Sequence, residues 1–202
     1  MIPAFVYFFF KLYPPAWVAS NGRTAAAAGG CMLIRREILE RIGGIESIRS
    51  ALIDDCALAQ RVKRAGGRVW LGTSPRELDI RSIREYGHAS DVRAMIARSA
   101  FAQLHHSALV LAGTVAGMAV IYIVPVLALF TGNTPAILLG AAAWALSAAI
   151  FIPVVREYRV SLSTTLCLPA IALFYTAATI ESALRYWSGR GGEWKGRVQD
   201  AL

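Results

Sequence analysis

ALVLAGTVAGMAVIYIVPVLALFTGNTPAILLGAAAWALSAAIFIPVV, residues 108–155, is a run of 48 positions without a single Asp, Glu, Lys or Arg. Wound as one helix it would be about 72 Å long, more than twice the ~30 Å hydrocarbon thickness of a bilayer. The run must therefore fold back. Thr131-Gly-Asn-Thr-Pro135 supplies the turn residues for the reversal and no charge to oppose crossing. Two spans are predicted, over 108–130 and 136–155, joined by a very short hairpin. Gly113 and Gly117 in the first and Ala141–Ala145 in the second would let the two backbones approach closely.

Moving outward, residues 160–180 form a second charge-free stretch, which predicts a third apolar helix over 162–186. Pro169 and Glu181 interrupt it, so a re-entrant or interfacial segment is the alternative to a third span, and three helices are expected. A basic tail, 188–202, follows. The remaining front, residues 1–107, holds 15 of the 21 Lys and Arg residues. That bias is what the positive-inside rule expects of a cytoplasmic segment, so the net charge of +8 reads as membrane orientation and not as nucleic-acid binding. An ordinary soluble globule, a disordered chain and a disulfide-rich secreted module are excluded.

Cys31, Cys56 and Cys167 are an odd number without C-x-x-C spacing, which suggests neither a zinc site nor a disulfide framework. The start, Met1-Ile-Pro-Ala-Phe-Val-Tyr-Phe-Phe-Phe10, has no basic leader and no small-residue cleavage site. Pro3, Lys11, Pro14 and Pro15 break it too often for a spanning helix. It is expected to lie at the membrane interface or on the front domain.

The front itself reads as mixed α/β. Cys31-Met-Leu-Ile34 and Arg68-Val-Trp-Leu71 are predicted as strands. Residues 35–42 and 54–65 are predicted as helices, ended by Gly43-Gly44 and Gly66-Gly67. Asp54 is placed to cap the second of these helices. An amphipathic interfacial helix near 92–107 would lead into the first span.

Chemistry concentrates in Gly29-Gly30, Asp54-Asp55-x-x-Leu58-x-x-Arg61 and Gln103-Leu-His-His106. A carboxylate at a helix start can serve as a general base or can simply satisfy first-turn N–H groups. Glycines at 29 and 30 either let a ligand approach the backbone or make a turn. Arg35, Arg36 and Arg61 can meet a diphosphate, or solvent and lipid head groups. His105 and His106, adjacent on the chain, would diverge on a helix and make a poor metal pair.

The order Gly-Gly, Asp-Asp-x-x-Leu-x-x-Arg, Ala65-Gly-Gly67 resembles the acceptor-side half of family 2 glycosyltransferases, which have the GT-A fold. Ile2-Pro-Ala-Phe5, Lys11-Leu-Tyr-Pro14, Ala25-Ala-Ala-Ala-Gly-Gly-Cys-Met32, Ala51-Leu-Ile-Asp-Asp-Cys-Ala-Leu58, Ala100-Phe-Ala-Gln-Leu104 and Trp194-Lys-Gly-Arg197 resemble, more narrowly, the hopene-associated glycosyltransferases of bacterial membranes. The fold class implied is an α/β partial GT-A domain followed by transmembrane helices. The resemblance implies Asp55 as catalytic base and Asp54 as its support, with Gly29, Gly30, Arg61, Gln103 and His106 binding substrate. Processive relatives carry Gln-x-x-Arg-Trp where this chain has Gln103-Leu-His-His106-Ser107, which favours transfer of a single sugar.

The implied reaction moves a hexose from a nucleotide sugar to a lipid acceptor, at a bacterial inner membrane, with the front in the cytoplasm. An Asp-x-Asp motif, which holds a divalent metal (Mg or Mn) in the full-length family, does not occur among Asp54, Asp55, Asp79, Asp91 and Asp200. The chain is therefore expected to be a C-terminal portion that lacks the donor-binding half and holds no cofactor itself. A catalytically inactive membrane scaffold or lipid-binding remnant is the alternative.

Overall fold

The computed structural model describes residues 1–20, 22–74, 87–194 and 197–198. In chain order the helices are α1 (Ile2–Leu12), α2 (Pro15–Ala19), α3 (Arg36–Arg41), α4 (Asp54–Arg64) and α5 (Ala89–Gln103). They continue with α6 (Ala108–Met118), α7 (Val124–Ala128), α8 (Thr134–Glu157) and α9 (Leu168–Trp187). The chain divides into a unit of Met1–Tyr7 with His88–Leu202 and a unit of Phe8–Gly87.

The α/β front domain expected from the motifs does not form. Among the described residues the sole ladder is a two-residue antiparallel pair, Glu193–Trp194 with Arg197–Val198. Residues 31–34 and 68–71, the two predicted strands, have no ladder partner. Leu33 is fully exposed and Trp70 is 74% exposed, so neither run is a buried core strand. A strand persists only where a neighbour takes its backbone N–H and C=O groups and covers a face, and local apolarity cannot provide that neighbour.

In the Phe8–Gly87 unit, Val18, Ala26 and Leu71 form a small core against Phe9, Phe10, Tyr13, Cys56 and Val69. Helix α4 turns Leu58, Ala59 and Val62 inward, an i, i+1, i+4 stripe. It ends at Gly66, whose φ of +78° a side chain would strain, and Gly66 and Gly67 donate to the carbonyls of Lys63 and Val62.

In the other unit, three helical segments are long and apolar enough to cross a membrane: Ala108–Ala128, Thr134–Glu157 and Leu162–Trp187. The protein is thus a membrane protein. The first span is interrupted by a π turn at Ala119–Ile123. Pro125 follows at the start of α7; it lacks an N–H and its ring crowds the preceding turn, which widens to accommodate it. The reversal falls at Thr131–Asn133, where Gly132 takes φ +70° and the Asn133 side chain accepts the Ala136 N–H at 3.1 Å.

The close approach between the first two spans is made at Gly140. A Cβ there would stand 2.5 Å from the Pro125 carbonyl oxygen and 2.8 Å from the Ala128 Cβ. Gly113 and Gly117, expected to make this contact, have nothing within 4 Å of such a Cβ, and Ala141–Ala143 are exposed. The π turn resets which face of the first span follows it, so the small residues before the turn need not share a face with those after it.

The N-terminal segment divides: Phe9, Phe10 and Tyr13 pack on the front, one of the two expected positions, whereas Met1–Tyr7 belongs to the membrane unit. The Tyr7 hydroxyl lies 3.3 Å from that of Tyr122, and its ring is 4.9 Å from the fully buried Phe151. The Tyr175 hydroxyl donates to the Met1 carbonyl at 3.1 Å. Pro3 does not break α1, because in a first turn its missing N–H has no helical partner to lose.

Helix α5 packs on α9. Phe101, Leu104, Leu111 and Ala183 make a core with Val115 and Tyr186. The Phe101 N–H donates to the buried Ser182 hydroxyl at 3.0 Å. Glu181, the acid that interrupts the third apolar segment, is held by Arg93 and Arg185.

Candidate functional site

Asp54 and Asp55 are the first two residues of α4, and Ile53, not Asp54, is the N-cap. The acids satisfy first-turn donors from within the helix. Asp54 Oδ1 accepts the Asp55 N–H at 3.0 Å, and Asp55 Oδ1 accepts the Cys56 N–H at 2.7 Å. First-turn N–H groups have no intrahelical acceptor, and negative charge is favoured at this end of a helix. Asp54 is exposed and Asp55 half-buried.

The second oxygen of Asp55 reaches across the chain. Oδ2 accepts the Gly29 N–H at 2.8 Å, 26 residues away in sequence. A Cβ on Gly29 would sit 3.2 Å from that oxygen, whereas one on Gly30 would meet nothing within 4 Å. Cys56 completes the contact, its thiol 3.8 Å from the Ala27 carbonyl. The structure thus joins Gly29 to Asp55 and leaves Gly30 apart. Two backbone donors fix the carboxylate plane, and the remaining lone pairs are the ones available to a substrate hydroxyl.

Arg61 is exposed on α4, seven residues after Asp54. Seven residues are nearly two full turns, so Arg61 lies on the stripe of Asp54 about 10 Å along the axis, and not on that of Asp55. Arg35 is the N-cap of α3, and Arg36 pairs with Glu40 at 2.7 Å on the exposed face.

A residue that the sequence did not mark holds this unit together. The Lys63 ammonium donates to the carbonyls of Thr24 at 2.6 Å, Ser20 at 2.9 Å and Gly22 at 3.1 Å, with Trp17 O at 3.4 Å. Three N–H donors meet three close carbonyls. The segment leading to Gly29 is thereby tied to the helix that carries Asp55. No spacing rule could have found it, because the acceptors are backbone oxygens gathered by the path of the chain.

Gln103 and His106 lie in the membrane unit. Gln103 is the last residue of α5, and the chain then turns through His105 and His106, both at φ +53°. Non-glycine residues in this left-handed region each cost about 1–2 kcal/mol. The His106 N–H donates to the Phe101 carbonyl and the His105 N–H to that of Ala102, the helix-ending pattern usually built on glycine. The His106 ring stacks on Tyr186, with centroids 4.1 Å apart and planes at 15°, and Phe101 meets its edge at 5.5 Å. This aromatic packing holds the strained turn in place.

Among the described residues no three His, Cys, Asp or Glu side chains come together as metal ligands.

The profile of glycosyl transferase family 21 matches residues 6–200. No curated protein and no solved structure matches the chain. The match carries the general assignment made from the motifs, but to family 21; it does not carry family 2, the GT-A fold or the kinship with hopene-associated enzymes. It takes in the Asp54-Asp55 helix, the Gln103–His106 turn and all three apolar segments, and the chain belongs to glycosyl transferase family 21.

Proposed function

We propose that the protein acts in a membrane-bound hexosyl transfer from a nucleotide sugar to the hydroxyl of a lipid, with Asp55 as the general base. The observation that carries this reading is the fixed carboxylate at the start of α4, held by the N–H groups of Gly29 and Cys56 at 2.8 and 2.7 Å. An alcohol is a weak nucleophile, and a positioned base typically contributes about 10²–10⁴-fold to such a step. The acceptor O–H proton passes to Asp55 as oxygen bonds to the anomeric carbon. The bond from that carbon to the diphosphate oxygen breaks, and the nucleoside diphosphate leaves.

Asp54 supports the base by fixing the Asp55 N–H at 3.0 Å. Gly29, Gly30, Arg61, Gln103 and His106 are assigned to substrate binding. Three apolar helices in a member of a glycosyltransferase family support a lipid as the acceptor. A hopanoid-related alcohol is the acceptor that the motif words favour. The excess of Lys and Arg before residue 108 supports a cytoplasmic front at a bacterial inner membrane.

One observation favours a second reading, that of a catalytically inactive membrane scaffold: both Asp55 oxygens are engaged by backbone donors, a purely structural use of the carboxylate. Incubation of membranes containing the protein and a supplied donor-binding half with labelled nucleotide hexoses separates the two, the controls being membranes that hold that half alone. A labelled lipid absent from control membranes supports transfer, and no labelled lipid with any nucleotide hexose supports the scaffold.

A further inference from the structure

The C-terminal end of α9 carries a groove of about 510 Å³ lined by Glu181, Leu184, Arg185, Ser188 and Arg190. Its single carboxylate is already spent. Glu181 Oε2 accepts from Arg93 Nε at 2.5 Å, and Oε1 accepts from Arg185 Nη2 at 2.6 Å and Nε at 3.0 Å. Arg190 adds a third guanidinium, with no carboxylate partner among the described residues. Among the described residues that line the groove, Arg185 and Arg190 stand against the one carboxylate of Glu181, which Arg93 beside the groove also holds.

The cations are accessible and their carrier is fixed. The Arg93 and Arg185 side chains are 59% and 40% exposed. Each keeps N–H groups beyond those given to Glu181, and a guanidinium fork matches phosphate oxygens. Gly189, at φ +73°, closes α9 so that the Arg190 N–H donates to the Arg185 carbonyl at 2.8 Å, which holds the two arginines one turn apart.

The surroundings select the kind of phosphate. Leu184 and Trp187 are 57% and 56% exposed beside the groove, in the last turn of the apolar segment Leu162–Trp187. Tryptophan and arginine at the end of an apolar helix mark head-group depth. A soluble anion would use the arginines alone; exposed leucine and tryptophan at their side are what acyl chains contact.

We infer that this groove binds the phosphate of an anionic phospholipid, with its chains along Leu184 and Trp187. The inference is independent of the role of Asp55. Native mass spectrometry of the full chain in detergent, titrated with phosphatidylglycerol, tests it. Arg190→Gln is expected to weaken retention of one lipid about fivefold, the effect of one basic side chain near a membrane surface. Arg156→Gln, at the exposed end of α8, is expected to leave retention unchanged, and millimolar inorganic phosphate is expected not to displace the lipid. Four results would overturn the inference: Arg190→Gln matching the parent, Arg156→Gln losing as much, phosphatidylcholine binding equally well, or inorganic phosphate displacing the lipid. The last would identify a site for soluble phosphate instead. Circular dichroism of each variant verifies that the helices persist.

Discussion

The Asp55 carboxylate and the Gly29 N–H, 26 residues apart in sequence, meet at 2.8 Å, and glycine is the residue that fits opposite this oxygen. A methyl group at position 29 would stand 3.2 Å from Oδ2, tighter than an ordinary contact, so the carboxylate would have to give by a few tenths of an ångström. Gly29→Ala is therefore expected to lower transfer about tenfold, since small misplacements of a catalytic group cost one to two orders of magnitude. Gly30→Ala, with open space at its Cβ, is expected to leave the rate unchanged. Initial rates of labelled lipid formation check both; equal losses in the two variants would show that the Gly-Gly pair matters as a turn and not for its fit to Asp55.

Lys63 makes a second prediction. Lys63→Met keeps the stem but removes the donors to Thr24, Ser20 and Gly22, leaving three carbonyls without their partner. Loss of hydrogen bonds from a charged donor is worth about 1.5–3 kcal/mol each at most, and less where water replaces it. The expected outcome is a destabilisation of about 2 kcal/mol. Limited proteolysis should then cut first within 17–24, and unchanged protection there would refute the tie.

Gly140 makes a third. Gly140→Ala would press a methyl to within 2.5 Å of the Pro125 carbonyl, a backbone atom that cannot swing away. Spans α7 and α8 must separate, and overpacking of this kind costs about 1–3 kcal/mol. Gly113→Ala and Gly117→Ala should be neutral. Thermal unfolding in detergent ranks the three; a larger loss for Gly113→Ala than for Gly140→Ala would contradict the packing described.

The contrast between Gly140 and Gly113 shows where sequence reading succeeds and where it stops. That the apolar run must reverse was legible, because 48 uncharged residues exceed a bilayer thickness whatever their neighbours do. The helix stops at Gly43-Gly44 and Gly66 were legible for a similar reason, since a positive φ is a local demand. Which small residue faces a partner was not legible, because it depends on the rotation of each helix and on the π turn at Ala119–Ile123.

The candidate site divides in the same way. The Asp54-Asp55 pair stood out as residue types at a helix start, but its link to Gly29 and the Lys63 tie are tertiary. The error over the strands at 31–34 and 68–71 has one cause: a short apolar run is compatible with extension but supplies no neighbour to pair with.

The most direct test of Asp55 as the base is the rate of hexose transfer by Asp55→Asn, measured in membranes at matched protein levels. Asparagine keeps the size and one acceptor oxygen but removes the basic one. The account predicts a loss of at least about a hundredfold, with the protein still folded in the membrane. Transfer within a few-fold of the parent would contradict it and leave the carboxylate a structural one.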